Sequence, residues 1–350
     1  MNLEFFKNKT ILITGITGFK GSWLSEILYL AGANIIGYAL KPEENSLFNM
    51  LKLDKKTTTI YDDIRNLKKI EETLKKYKPE IVIHMAAQPL VLESYKNPYY
   101  TFETNIMGTI NVLEAIRNTE YVKSFLNVTT DKVYLDKNKS TGYKETDKLC
   151  GKDPYSNSKS CSELVTYSYY KSFFEKLDYP RMSTARSGNV IGGGDFSENR
   201  IIPDCIKAAL NNESIKIRNP YSIRPYQHVL DCLKGYLMIV EKQYNDKKYE
   251  GNYNFGPNAS SCITTEELVK IFCDKWKNQK YINLNENSNK ESKFLKLNSD
   301  LAHKKLGWKN TWNIEKAVEK VVEWQKNYND AIKITDNQIK EFFKIGEQNV

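Results

Sequence analysis

The run Thr10–Ala31 reads TILITGITGFKGSWLSEILYLA. Its opening, Thr10–Thr14, is a continuous apolar and β-branched stretch, the pattern of a strand buried on both faces. Its end, Gly21–Ala31, sets Trp23, Leu24, Ile27, Leu28 and Ala31 at helical spacing. Between the two, Gly15, Gly18 and Gly21 recur at every third position. Glycines there let the turn close tightly and let backbone N–H groups approach an anion at the positive helix N-terminus. Strand, glycine-rich turn and helix in that order form a cradle for a dinucleotide pyrophosphate, with Gly15, Gly18, Phe19 and Gly21 as candidate contacts. The first gap is one residue longer than in the common G-x-G-x-x-G fingerprint.

The same alternation continues outward. Strands are predicted at Asn34–Leu40, Thr58–Asp62, Glu80–Ala86, Ser124–Thr129 and Met182–Ser187, and helices at Leu67–Tyr77, Tyr99–Arg117 and Tyr155–Phe174. This is the rhythm of an α/β, doubly wound parallel sheet of Rossmann type. After about Asn189 the rhythm changes. Helices are predicted at Ile202–Leu210, Val229–Glu241, Thr265–Trp276 and Ile314–Tyr328, and short strands at Ser214–Arg218 and Asn252–Phe255. Arg224–His228 reads as a loop, and Asn283–Ser292 is rich in Asn, Ser and Lys. We therefore expect a dinucleotide-binding domain over 1–188, with segments near 225–255 returning to it, and a smaller mixed α/β substrate lobe over 189–350.

Composition narrows the function. The 350 residues carry 52 Lys and Arg against 43 Asp and Glu, a net charge of +9. The basic residues alternate with acids along helices such as Asn66–Lys78, so a solvated surface is expected and a nucleic-acid patch is not. The six cysteines form no C-x-x-C pair and only three histidines exist, which disfavours a metal site. No apolar run reaches membrane-spanning length and no signal-peptide core opens the chain. A soluble cytoplasmic protein with reduced thiols is expected.

Two further clusters carry chemistry. Tyr155 and Lys159 stand four apart on a predicted helix and share a face. A lysine ammonium beside a phenol stabilises the phenolate and makes tyrosine a usable base. Thr129-Thr130-Asp131-Lys132 lies at the C-terminal end of the fifth strand, where such sheets open into the ligand crevice. It brings a hydroxyl, an acid and an amine together. Asp63 and Ile64 follow the third strand, where an acid and an apolar neighbour can hold adenine. The acid that normally reads the ribose is missing, since Leu40-Lys41-Pro42 stands there, so charge alone leaves NAD and NADP both open.

Gly15–Gly21, His84-Met-Ala-Ala-Gln88, Thr104-Asn105, Thr130-Asp131-Lys132 and Tyr155–Lys159 resemble the extended short-chain dehydrogenase/reductases, and among them the nucleotide-sugar 4,6-dehydratases. Lys20-Gly-Ser-Trp23, His84–Val91 and Lys132 in place of Glu point to the branch acting on CDP-glucose. Arg186–Asp195, Arg224–His228 and Leu295–Asn298 extend the likeness over nearly the whole chain, with Tyr226 and Asn298 where Trp and Asp are expected. The resemblance implies NAD as cofactor and a redox-neutral conversion of CDP-glucose to CDP-4-keto-6-deoxyglucose and water. It casts Tyr155 as the base at the C4 hydroxyl, Lys159 as its electrostatic partner and holder of the nicotinamide ribose, and Thr130 as a hydrogen bond to the C4 oxygen. Asp131 would protonate the leaving C6 hydroxyl and Lys132 would act at C5. It adds Ala86, Ala87, Thr104 and Arg186 to the cofactor contacts, and Gln88, Asn189, Arg218, Arg224 and His228 to the substrate contacts. Readings on another nucleotide hexose (GDP- or dTDP-linked), or as an epimerase on the same fold, stay open. The family implies a homodimer or dimer of dimers through the two long helices, and a product that feeds lipopolysaccharide or other surface polysaccharide.

Overall fold

The computed structural model of the chain describes residues 1–284 and 295–345. Its first six strands are β1 (Thr10–Thr14), β2 (Asn34–Ala39), β3 (Thr58–Tyr61), β4 (Ile81–His84), β5 (Ser124–Val128) and β6 (Arg181–Ser187). After β7 (Val190–Ile191), β8 (Ile215–Ile217), β9 (Ile223–Pro225) and β10 (Gln227–His228), the chain returns to the main sheet as β11 (Gly251–Phe255). β12 (Cys262–Thr264) and β13 (Tyr281–Asn283) follow.

The main sheet has seven strands in the order β11-β6-β5-β4-β1-β2-β3, all parallel. β1 lies between β2 and β4, in register at Ile11↔Ile35 and Ile11↔Ile81. The winding direction reverses there, which makes the C-terminal ends of β1 and β4 the switch point where such sheets bind ligands.

Alternation along β1 explains both layers. Ile11 and Ile13 pack into one cluster with Trp23, Leu24, Ile27 and Leu28 of the helix Phe19–Leu30. Leu12 points the other way, into a cluster with Ile70, Leu74, Val112 and Ile116. Helix Val229–Asn245 covers the first face beside β5 and β6. The remaining short strands pair as β7–β10, β9–β12 and β8–β13. Helices Ile201–Leu210, Thr265–Trp276 and Ile314–Lys326 gather a separate core around them.

The sequence reading matches the α/β doubly wound sheet and nearly all its elements. Besides short strands and helices that the sequence reading does not include, three differences bear on the architecture. Arg224–His228 is not a loop but carries β9 and β10. The final helix, Ala331–Phe343, was not anticipated; Ile334, Ile339 and Phe342 bury it in the same cluster as the first helix. Of the two long helices, the first is interrupted by a π-turn at Glu103–Met107 and the second ends in one at Tyr170–Phe174. Residues 285–292 of the Asn/Ser/Lys-rich stretch lie outside the described residues. Among the described residues no helix is long and apolar enough to cross a membrane.

Candidate active site

The glycine turn is shaped as its spacing implies. Gly15 has φ +73°, and a Cβ there would stand 2.8 Å from the Ala86 nitrogen. A Cβ on Gly21 would stand 2.3 Å from the Gly15 carbonyl oxygen. The backbone can close only because both are glycine. Gly18 caps the helix without any side-chain acceptor, so the amides of the first turn remain directed at the crevice, where an anion satisfies them. Phe19 is partly buried against the core at the first position of that helix. Ala86 and Ala87 follow β4, and the Ala86 amide donates to Thr14 Oγ1 at 3.1 Å. The Thr104 hydroxyl is buried with no partner. These features fit a dinucleotide. Asp63 is held by Arg65, whose Nε and Nη2 donate to it at 3.0 and 2.8 Å, and Ile64 is buried against Gly108. Lys41 is exposed.

The catalytic candidates converge on the ends of β5 and of the helix Pro154–Tyr169, which Asp153 caps through Ser156. Tyr155 and Lys159 are both buried. Burial pushes the Tyr155 phenol up to about 12; the Thr130 hydroxyl pulls it down, Asp131 raises it, and Arg200 lowers it. Lys159 donates to the Val128 carbonyl at 3.1 Å. Burial, then the neighbouring Lys20 cation, pushes its amine down to about 8, while Glu163 pulls it up. The expected lowering of the tyrosine by lysine is thus not what this arrangement holds by itself: desolvation dominates, and the group that chiefly offsets it is the Thr130 hydroxyl.

Thr130 Oγ1 donates to Asp131 Oδ1 at 3.0 Å. Asp131 Oδ2 is buried and has no partner. Lys132 Nζ sits 3.6 Å from Asp131 Oδ1 and is about one-third exposed. The alternation rule for strands puts these two side chains on opposite sides, but Asp131–Val133 forms a 3-10 turn, which brings them together as an ion pair.

The predicted binding residues divide. Asn189 Oδ1 is buried without a partner near the end of β6. Arg224 is buried, with Nη1 donating to the Ile223 carbonyl at 3.0 Å. Arg218 is exposed and lies 3.7 Å from Asp204. Three others are committed inside the fold. The Gln88 amide donates to Thr101 and accepts from the Leu90 nitrogen, bracing the loop after β4. His228 is fully buried, its Nδ1 accepting from Leu230 N as a helix cap and its ring edge-on to Trp23 and Trp312. Arg186 is 1% exposed and makes a two-pronged ion pair with Glu163. We correct Gln88 and Arg186 from ligand contacts to internal supports, because their polar atoms are bonded within the protein; His228 caps its own helix through Nδ1, while its buried Nε2 has no partner.

Two cations that the sequence reading gave no role lie at the crevice. Lys20 donates to Ser187 Oγ at 2.9 Å and to Tyr236 Oη at 3.3 Å, and burial pushes its amine down. Arg200 pairs with Asp195 at 2.9 Å and acts on Tyr155 and Lys20 through its charge. Lys20 was visible only as part of a motif, and Arg200 left no local signal. Among the described residues no cluster of three or more His, Cys, Asp or Glu could hold a metal.

A parallel sheet with a glycine cradle at its switch point, and a Tyr/Lys helix beside it, defines an extended short-chain dehydrogenase/reductase. The chain belongs to the GDP-mannose 4,6 dehydratase family, whose model matches residues 12–321. It is 40% identical over 330 residues to the CDP-glucose 4,6-dehydratase of Salmonella typhimurium, covering 92% of each chain. It is similar in structure to the dTDP-glucose 4,6-dehydratase of Bacillus anthracis solved with NAD, with TM-score 0.76 and 21% identity over 93% of this chain and 99% of the other. The UDP-glucose 4-epimerase of Thermotoga maritima, solved with UDP-glucose, gives TM-score 0.78 at 22% identity over 91% and 99%.

Proposed function

We propose that this chain is a nucleotide-sugar 4,6-dehydratase acting on CDP-glucose with NAD as cofactor. The observation that carries the reading is the pairing of Asp131 and Lys132 beside Thr130 and Tyr155. C4 oxidation alone needs a tyrosine and a lysine. Elimination across C5 and C6 needs an acid and a base as well, which epimerisation does not. The 40% identity to the Salmonella enzyme supports cytosine as the base.

The cofactor is held by the first-turn amides around Gly15, Gly18, Phe19 and Gly21, by Ala86, Ala87, Thr104 and the Asp63–Ile64 corner, and by Tyr155 and Lys159 at the reactive end. When bound, NAD supplies the hydride acceptor at C4 and the donor at C6. Tyr155 takes the proton of the C4 hydroxyl as that carbon becomes a ketone, with Thr130 bonding the C4 oxygen. The ketone acidifies C5–H, and Lys132 removes that proton or stabilises the enolate. Asp131 takes up the proton that its paired Lys132 ammonium gives up and delivers it to the departing C6 hydroxyl through its unpartnered Oδ2, which leaves the amine free to accept the C5 proton. A proton returns to C5 as hydride reaches C6. Asn189, Arg224 and Arg218 bind the nucleotide diphosphate, since guanidinium groups match phosphate geometry, and Arg200 joins them by position. In this reading residues 189–350, less the returning strand and helices, form the sugar-nucleotide lobe.

The face of 98–117 and 154–174 carries exposed Tyr99, Met107, Leu164, Tyr167 and Phe173, which supports a homodimer through these helices. A cytoplasmic location and a product destined for surface polysaccharide complete the reading. The test is a panel of CDP-, UDP-, GDP- and dTDP-hexoses screened for 4-keto product. CDP-glucose should turn over best, and the purified protein should carry NAD. Preference for another nucleotide, or a 4-epimer as product, overturns the assignment.

A further inference from the structure

Lys159 lies in a poor place for a cation. It is buried, its amine bonds a single carbonyl among the described contacts, and Lys20 adds a second positive charge in the same crevice. His84 on β4 also faces it, but that ring is buried between Thr14 and Thr109, and desolvation, then Lys159 itself, holds it neutral. The acid that offsets this field is Glu163. It follows Lys159 by four residues, as Lys159 follows Tyr155, so the three side chains stack along one helix face.

Glu163 is also the most heavily bonded carboxylate of the core. It is 3% exposed. Arg186 Nε and Nη2 each donate to it at 2.7 Å, from β6. Thr184 Oγ1, also on β6, donates at 2.8 Å, and the Thr129 hydroxyl at the end of β5 donates to it as well. Arg186 in turn donates to Tyr134 Oη at 2.7 Å and to the Glu145 carbonyl at 3.2 Å. One carboxylate therefore ties the catalytic helix to both strands whose ends carry Thr130–Lys132 and Asn189. Burial pushes the Glu163 carboxyl up, but Arg186 and the two hydroxyls more than offset it, so it is held ionised.

We propose that Glu163 is a positioning residue that keeps Lys159 an ammonium and aligns the Tyr155–Lys159 face with the ends of β5 and β6. Arg186 keeps Glu163 charged. Glu163 shares the helix face of Lys159, whereas Arg186 reaches the carboxylate from β6, and the charges that act on the amine are those of Lys20 and Glu163. This rests on the dehydratase reading only for the step that Lys159 serves; the electrostatic claim concerns the chain's own groups.

The experiment compares wild type, Glu163→Gln, and Glu163→Gln combined with Arg186→Met. The double variant removes both charges, so no unpaired buried guanidinium remains to unfold the protein. Lys159 is titrated by competitive acetylation across pH, read by mass spectrometry on its peptide, with no substrate added. The midpoint should fall by roughly one pH unit in both variants. The alkaline limb of the turnover profile on CDP-glucose should move down with it, as a loss of kcat with little change in KM. A midpoint unchanged in Glu163→Gln overturns the proposal. So does one that falls in the single variant and returns to wild type in the double, since the unpaired arginine then caused it. If the midpoint shifts while no CDP-hexose turns over, the positioning role stands and the substrate assignment falls.

Discussion

Tyr155 and Lys132 serve different steps, so their loss should leave different traces. Tyr155→Phe removes the base at the C4 oxygen but keeps the ring that fills the site. Turnover should drop by roughly 100-fold or more, the scale of general-base loss, with NAD binding retained. Near-normal turnover would refute the role. Lys132→Met should still allow oxidation at C4 but stop elimination, so reduced nicotinamide absorbance should persist with CDP-glucose. Solvent deuterium should also cease to enter C5. Persistent wash-in with slower elimination would make Lys132 an electrostatic stabiliser. The ion pair to Asp131 sharpens this test, because the amine proposed to act at C5 stands 3.6 Å from the acid proposed to act at C6.

At the scale of elements, the helix bearing the cofactor turn is latched from behind. Glu26, in mid-helix, is 0% exposed and accepts from Lys56 Nζ at 2.7 and 2.8 Å. Burial pushes Glu26 up to about 7; Lys56 pulls it down, and Asp336 of the terminal helix raises it. A carboxyl raised on folding contributes stability that is full below its unfolded value of 4.5 and is lost as pH rises through about 7. Replacing Glu26 by Gln should therefore flatten the dependence of Tm on pH between those limits. A variant whose Tm still falls across that window as in wild type would place the effect elsewhere. The terminal helix carries no clear helical period in sequence, because Ile334 and Ile339 are separated by Thr, Asp, Asn and Gln; its place against the first helix completes it.

For the whole molecule, the exposed apolar residues on the two long helices mark the surface through which we propose self-association. Introducing Glu at both Leu164 and Tyr167, which are 53% and 60% exposed, should convert a dimer to a monomer by light scattering without lowering helical content. An unchanged mass would move the interface to another face. Because such residues touch neither core nor crevice in one chain, a folded monomer is the expected product.

The chain's own order of residues determined the sheet, the glycine cradle and the spacing of Tyr155, Lys159 and Glu163, since each follows from a local period of two or 3.6 residues. It also placed Asp131 and Lys132 at a strand end. Only the tertiary structure decided how the charges are used. A 3-10 turn folded Lys132 toward Asp131, Arg186 turned inward to Glu163, Tyr134 and Glu145 on distant elements, and Gln88 and His228 were taken up by the loop and helix next to them. Lys20 and Arg200 came to the crevice because a helix start and a distant loop converge there. Periodicity says which face a side chain shares; it does not say which charge will stand opposite. That partner is chosen by packing between layers, where burial makes an unpaired ion costly.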